Sequence, residues 1–418
     1  MKFIADLHLH SKYSRATARD MEVETLAKWA QLKGIALLGT GDFTHPTYFA
    51  ELKQKLEPEG NGLFVLKKNK KDVHFILSAE VNNIFHQGGR LRKIHTIIFA
   101  PSFEVVEKIN RSLLSLGNLH SDGRPIFTFQ VKELFKIVLD ISEECLLVPA
   151  HAWTPWFSLF GANSGFDSIE ECFEEESKHI CSIETGLSSD PSMNWRLSKL
   201  DKITLISNSD AHSPSKIGRE ANVFDCELSY DEIIGAIKNK DRKKFLYTIE
   251  FFPEEGKYHF DGHRNCGVLL SPEETRKNKG ICPVCKRKLT VGVMNRVDTL
   301  ADRPPGFVPE NAIPYKNLIP LMEIIAEALG QGPDTKGVRT TYEQMVQRFK
   351  SEFHILLDLE LDEVSASFPP RIAEGIKRMR EGKLSIVPGH DGIFGKIQIF
   401  GEEVEKEKAA GKEQMDLF

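Results

Sequence analysis

The chain has 418 residues, 41% hydrophobic and 28% charged, with a formal net charge of −5. That length exceeds what one hydrophobic core organises and calls for two or three domains. The composition excludes disordered and fibrous classes. No apolar run is long enough for a transmembrane helix, the first residues carry no signal-peptide pattern, and seven cysteines do not make a secreted disulfide framework. The net charge carries no bulk signal for nucleic acid, so any such signal must be local.

From Met1 to Phe251, short apolar runs alternate with amphipathic stretches. Lys2–Leu7 reads as a strand and Met21–Lys33 as a helix with Val23, Leu26, Ala27 and Ala30 on one face, closed by Gly34. Strands are expected at Ile35–Gly39, Phe75–Val81 and Ile94–Ala100. A helix is expected at Glu104–Leu116, strands at Cys145–Pro149, Ile180–Glu184 and Ile203–Asn208, and a helix at Asp231–Lys240. This alternation predicts an α/β fold with a largely parallel sheet closed into a barrel, and sites in such folds gather at the carboxyl ends of strands. Past Phe252 the character changes. Tyr258 to Asp302 lacks long apolar elements and is rich in His, Cys and basic residues. Helical patterns return at Leu318–Leu329 and Tyr342–Leu356, and Ile397–Phe400 reads as a short strand. Glu402–Lys412 is charged and suggests a mobile tail.

The polar residues at the strand ends carry the chemistry. Asp6-Leu7-His8-Leu9-His10 ends the first strand, and Asn208-Ser209-Asp210-Ala211-His212 follows a late one. In a strand, residues i and i+2 point to one side, so His8 projects with His10 and Asp210 with His212. The ordered candidate ligands are His8, His10, Asp42, His45, Glu80, His95, His151, Glu184, Asp210 and His212. Imidazoles and carboxylates without thiolates suit Zn²⁺, Mn²⁺ or Fe²⁺. So many ligands imply two or three ions, with Glu80 available as a bridge, the arrangement used to hydrolyse phosphoesters. Asp210, Glu80 and His151 are expected to be essential to that reaction.

A second constellation is local. His263-x₂-Cys266 and Cys282-x₂-Cys285 form two short-spaced pairs, the pattern of a tetrahedral structural zinc site. His259 and Asp261 lie close by and leave the fourth ligand open. Arg264 to Arg303 carries nine Lys/Arg against four Asp/Glu. A basic zinc module beside a hydrolytic site favours a polyanionic substrate. Trp153, Trp156 and Phe157 follow His151 and either wall a substrate pocket or pack in the core.

The motifs Asp6-Leu-His-Leu-His10, Gly41-Asp42, Ala79-Glu80, Ala150-His151, Ile183-Glu184 and Ser209-Asp210-Ala211-His212 resemble those of the PHP (polymerase and histidinol phosphatase) superfamily. The resemblance implies a distorted (β/α)₇ barrel with three metals. His8, His10, Glu80 and Asp210 would hold one ion, Glu80, His95 and His151 a second, and His212 with Asp42 or His45 a third. Two departures weaken the third site. Gly41-Asp42-Phe43 replaces the usual Thr-Asp-His, and no ligand follows closely after His10. With Val148–Phe160, Glu184–Asp190 and Pro388–Gly395 added, the chain resembles the endonuclease Q family within that superfamily.

That resemblance implies a lesion-specific DNA endonuclease. It would cut 5′ to deaminated bases (uracil, hypoxanthine, xanthine) and to abasic sites in double- or single-stranded DNA. It would use two or three divalent ions (zinc, manganese or magnesium) and one structural zinc. The expected organisation is a PHP nuclease domain over 1–251, a zinc module over 252–303, a mainly helical DNA-binding and lesion-recognition domain over 304–401, and a tail over 402–418. The final Gln414-Met415-Asp416-Leu417-Phe418 looks like a bacterial sliding-clamp-binding peptide. A cytoplasmic, nucleoid-associated monomer without membrane contact is expected. A PHP-type small-molecule phosphatase and a nucleic-acid-binding adaptor with a degenerate metal site are the alternatives.

Overall fold

The computed structural model describes residues 1–401, with the side chains of residues 69–72 excepted. The expected clamp-binding peptide Gln414–Phe418 and the charged stretch before it lie outside the described residues. Twelve strands build the N-terminal part: β1 (Lys2–Asp6), β2 (Leu37–Gly39), β3 (Leu56–Pro58), β4 (Phe64–Leu66), β5 (Asn69–Gln87), β6 (Arg90–Ala100), β7 (Ile126–Phe127), β8 (Leu146–Pro149), β9 (Ser182–Glu184), β10 (Thr204–Ile206), β11 (Ala221–Asp225) and β12 (Phe245–Glu250). The path β12–β11–β1–β2–β5 continues through β6 to β8, while β9 and β10 pair separately. The ring closes by contacts outside the named strands. The Ala152 N–H donates to the Glu184 carbonyl, and Leu9 bridges to Ala211 in parallel.

The α/β barrel class expected from the alternation is what forms, but the sheet is mixed rather than largely parallel. β1–β2 and β2–β5 are parallel, whereas β1–β11, β11–β12, β5–β6 and β6–β8 are antiparallel. The long β5–β6 hairpin accounts for much of this. Gly88 and Gly89, with φ of 60° and 73°, supply the two positive-φ residues of its turn. Its Gly-Gly signal was in the sequence, yet the two strands read there as separate elements.

Strand alternation sorts the core into two layers. Ala5, Leu7, Leu37, Ile76, Ile97, Val148 and Ile206 pack together on one side. Leu38, Phe75, Leu77, Ile98, Leu147 and Ile183 point the other way, onto the helices. Helix Val23–Lys33 buries Val23, Leu26, Ala27 and Ala30 there, and Phe103–Leu114 buries Val106, Ile109 and Leu113 beneath a Ser102 cap.

The C-terminal helices Leu321–Leu329, Lys336–Arg348, Glu352–Leu357 and Pro370–Arg380 share this outer core. The helix expected over Tyr342–Leu356 is broken. Lys350 takes a φ of 73°, and Ser351 caps a new helix at Glu352. The break lets Glu352 turn inward, where it pairs with Lys33 at 3.6 Å and accepts from the Tyr342 hydroxyl at 2.8 Å. The strand Tyr315–Asn317 extends the barrel sheet beside β12, past the boundary expected at 304. The strand expected at Ile397–Phe400 is Lys396–Gln398, paired with Ser385–Val387. No described helix is long and apolar enough to cross a membrane.

Candidate metal centre

The first strand and the 208–218 segment are pinned together by Asp6. Its carboxylate accepts from the Ser209 N–H at 3.0 Å and the Gly218 N–H at 2.7 Å. Burial pushes the Asp6 carboxyl up to about 6 despite these bonds. Beyond β1 the chain stays extended, so His8 and His10 project together with ring centroids 5.2 Å apart. Asp210 meets them from across the ring closure. Its Oδ1 lies 2.9 Å from His10 Nε2 and 4.0 Å from His8 Nε2. The donor atoms of His8, His10 and Asp210 all fall within 4.8 Å of one another.

The second group comes from the long hairpin and the end of β8. Glu80 Oε1 lies 2.7 Å from His95 Nδ1 and 3.0 Å from His151 Nε2. Glu80 also faces the first group, with its oxygens 3.8 Å from His8 Nε2 and 3.5 Å from His10 Nε2. One carboxylate thus stands between two ligand sets. Asp42, His151 and Asp210 adopt positive φ values of 47°, 31° and 46°. Such conformations in non-glycine residues are costly and concentrate at functional sites.

The electrostatics favour positive charge at this cluster. Burial opposes a charged His8, yet Glu184, Glu80 and Asp210 outweigh it and hold its pKa up at about 10. His10 is held up at about 9 in the same way, against burial, by Asp42 and Asp210. Asp210 is driven well below the carboxylate range, because His10 and His8 overcome its desolvation. His8 Nε2 and Glu80 Oε2 are buried without any hydrogen-bond partner. Buried polar atoms are rarely left so, and two of them turned toward a carboxylate–imidazole cluster fit divalent ions that would displace the protons.

The other expected ligands lie elsewhere. Glu184 sits behind His8, with Oε1 3.0 Å from Nδ1, and it also accepts from the His151 N–H and the Asn208 amide. Asp42 sits behind His10 at 3.1 Å from Nδ1 and accepts from the Ser11 N–H and the Ser11 and Ser14 hydroxyls. Both carboxylates fix a ring and leave its Nε2 facing the cluster, the usual outer support of a metal-ligating histidine. His45 accepts from the Tyr48 N–H as a helix cap and stacks on Tyr13 at 4.4 Å. His212 packs 4.7 Å from the His10 ring, with Nδ1 bonded to the Asp210 carbonyl at 2.8 Å. Among the described residues no third group of donors gathers around Asp42, His45 and His212.

One residue escaped the sequence reading. Arg124 reaches from the loop before β7 to within 3.8 Å of Glu80 Oε2. Glu80, Asp210 and Asp42 raise its pKa against burial. The loop approaches so closely at Gly123 that a side chain there would collide with Ser14 and Asp42. A lone arginine in a polar loop carries no periodic signal, so only the tertiary fold marks it. The three aromatic residues after His151 divide. Trp153 is buried with its indole N–H on Asn194 at 2.8 Å, Phe157 lies 5.0 Å from the His95 ring, and Trp156 is 42% exposed.

The Cys/His module has a small core of its own. Asp261–His263 pairs with Val268–Leu270, and Val268, Cys282 and Leu289 form its core. His263, Cys266, Cys282 and Cys285 bring their donor atoms within 4.8 Å of one another. Against burial, the N–H groups of Cys285 and Val284 pull the Cys282 thiol down to about 7. His259 instead stacks on Phe260, and Asp261 accepts from Gly292 and Asn295. His263 therefore completes the four donors, a set that suits tetrahedral zinc. Arg276, Arg296 and Arg303 form ion pairs. Lys279, Lys286, Arg287 and Lys288 are exposed and form no ion pair among the described residues.

Residues 320–383 match the family described as the MJ0043 C-terminal domain. Protein MJ0043 of Methanocaldococcus jannaschii is 34% identical over 266 residues. The match takes 61% of this chain but 32% of that protein, so the chain spans under two thirds of this relative. Protein YqxK of Bacillus subtilis is 28% identical over 415 residues, covering 95% of this chain and 99% of its own. The crystal structure of the lesion-specific endonuclease PfuEndoQ from Pyrococcus furiosus superposes with a TM-score of 0.84 at 32% identity, covering 95% of both chains. A structure of Endonuclease Q with a 27-mer duplex substrate bearing an abasic lesion at the active site gives 0.83 at 32% identity, covering 95% and 96%.

Proposed function

This chain belongs to the endonuclease Q family of metal-dependent nucleases, and on that premise we propose that it cuts the phosphodiester 5′ to deaminated bases and abasic sites in DNA. Uracil, hypoxanthine and xanthine are the proposed base lesions. The cut would leave a 3′-hydroxyl and a 5′-phosphate on the lesion side. The observation that carries this reading is Glu80, which lies between His8–His10–Asp210 and His95–His151 with a buried oxygen that has no hydrogen-bond partner.

When bound, divalent ions there would acidify a water and neutralise charge on the phosphate. His8, His10, Glu80 and Asp210 would hold one, and Glu80, His95 and His151 the other. Glu184 and Asp42 hold the His8 and His10 rings with Nε2 inward. Arg124 places a guanidinium beside Glu80, where it can bind a phosphate oxygen and stabilise the charge that grows during displacement. A lesion base must leave the helical stack to bring its 5′ phosphate to so recessed a cluster. The exposed lysines and Arg287 of the zinc module would grip the backbone, and the C-terminal helical region would contribute to lesion recognition.

The test uses labelled duplexes carrying one uracil, hypoxanthine or abasic site, incubated with Mn²⁺, Mg²⁺ or Zn²⁺. A nick 5′ to the lesion, abolished by chelation, is expected. An intact strand for every lesion and metal would sink the proposal, and phosphate release from small monoesters would replace it with a phosphatase. The tail Gln414–Phe418 is proposed to bind a bacterial sliding clamp. Deleting it should abolish retention on immobilised clamp without changing cleavage in the absence of clamp, and unchanged retention would end that assignment.

A further inference from the structure

The hairpin Ser385–Val387 and Lys396–Gln398 carries a loop whose tip exposes two large apolar residues, Ile393 at 43% and Phe394 at 65%. The loop is held from both sides. The N–H groups of Gly389, Gly392 and Gly395 donate to the carbonyls of Glu254, Lys257 and Glu255 at 2.8, 3.0 and 3.1 Å. Asp391 accepts from the Arg264 N–H at 2.7 Å and the Thr290 hydroxyl at 2.6 Å, which ties the loop to the zinc module. A terminus would be free to tuck such side chains away. A loop clamped at this many points presents them to solvent, where exposed apolar groups mark a contact surface.

Its position connects it to the metal centre. Phe157 accepts the His95 N–H through its carbonyl at 3.2 Å, and its neighbour Trp156 meets Tyr258 edge-on at 5.5 Å. The preceding residue, Lys257, stands 4.4 Å over the Phe394 ring. Lys93 similarly covers Phe157 at 4.8 Å. A run of contacts thus links His95 to the loop tip, with one ammonium group beside the Phe157 ring and another beside the Phe394 ring. That pairing fits a stacked polyanion, since rings take base faces and cations take phosphates.

We propose that Phe394, supported by Ile393, is an intercalating wedge that enters the duplex beside the lesion and occupies the space the displaced base leaves. The inference rests on the reading of this chain as a lesion nuclease. Proteins that distort duplexes insert apolar side chains between base steps and recover the unstacking cost through the contacts the distortion permits. A single-stranded lesion has no stack to open, so it needs no wedge.

The experiment compares wild type, Phe394→Ala and Phe394→Leu on one lesion placed in duplex and in single-stranded DNA, with 2-aminopurine next to the lesion reporting unstacking. Phe394→Ala should cut the duplex about tenfold more slowly or worse, leave single-strand cutting unchanged and lose the fluorescence rise on duplex binding. Phe394→Leu, still bulky and apolar, should recover most of both. Equal losses on both substrates, or an undiminished fluorescence rise in Phe394→Ala, would overturn the wedge. If wild type cut no lesion, the nuclease reading would fail by itself. The fluorescence difference between wild type and Phe394→Ala would still decide the wedge.

Discussion

The Cys/His module and the barrel centre both gather candidate metal ligands, yet they do so by opposite routes. Four donors of the module come from a span of His263 to Cys285, held by one small hairpin and a turn. The barrel donors come from β1, the β5–β6 hairpin, the end of β8 and the segment after β10. The module's ligands are its local core. Those of the barrel are the convergence point of strands that must all pair first. A local site should fail locally, and a convergent site should fail as a unit.

Substitutions can break or sharpen that contrast. Asp210→Asn removes charge from the first ligand group and should lower cleavage about a thousandfold or more while DNA binding, measured by anisotropy, survives. Retained cutting would remove Asp210 from the catalytic set. Arg124→Ala should cost about a hundredfold with bound metal unchanged by elemental analysis, because the guanidinium acts on substrate charge. Loss of metal in that variant would assign it a structural role. Glu184→Gln should weaken metal binding roughly 10- to 100-fold and be rescued by more metal, since it holds His8 from behind. Failure of rescue would place Glu184 in the reaction itself. Cys282→Ser should remove one zinc per chain and slow cleavage on the order of tenfold or less, through lost backbone grip. A loss as deep as that of Asp210→Asn would show the two sites to be one cooperative unit.

The candidate site was readable to different depths at different residues. His8, His10, Glu80, His151 and Asp210 follow apolar runs and His95 stands near the start of one, and strand periodicity marks them. Asp42 and Glu184 share that position, but periodicity does not say which side of an imidazole a carboxylate takes. His45 carries the same residue type and ends as a helix cap, because Pro46 starts a helix directly after it. The β5–β6 hairpin was missed as a unit although Gly88-Gly89 announced it, and the mixed sheet follows from that hairpin. The break at Lys350 was hidden by continuous apolar spacing on either side.

By itself the sequence determined the α/β alternation, the His8–His10 and Asp210–His212 pairs and the Cys/His module, because each depends on spacing along a strand or turn. The tertiary structure decided that Glu80 stands between the two groups, that Glu184 and Asp42 sit behind His8 and His10, that Arg124 belongs beside Glu80, and that Phe394 is held out to solvent. Those assignments depend on distances across the fold. Such distances are set by sheet register, ring closure and buried charge pairing, and local chemistry does not encode them.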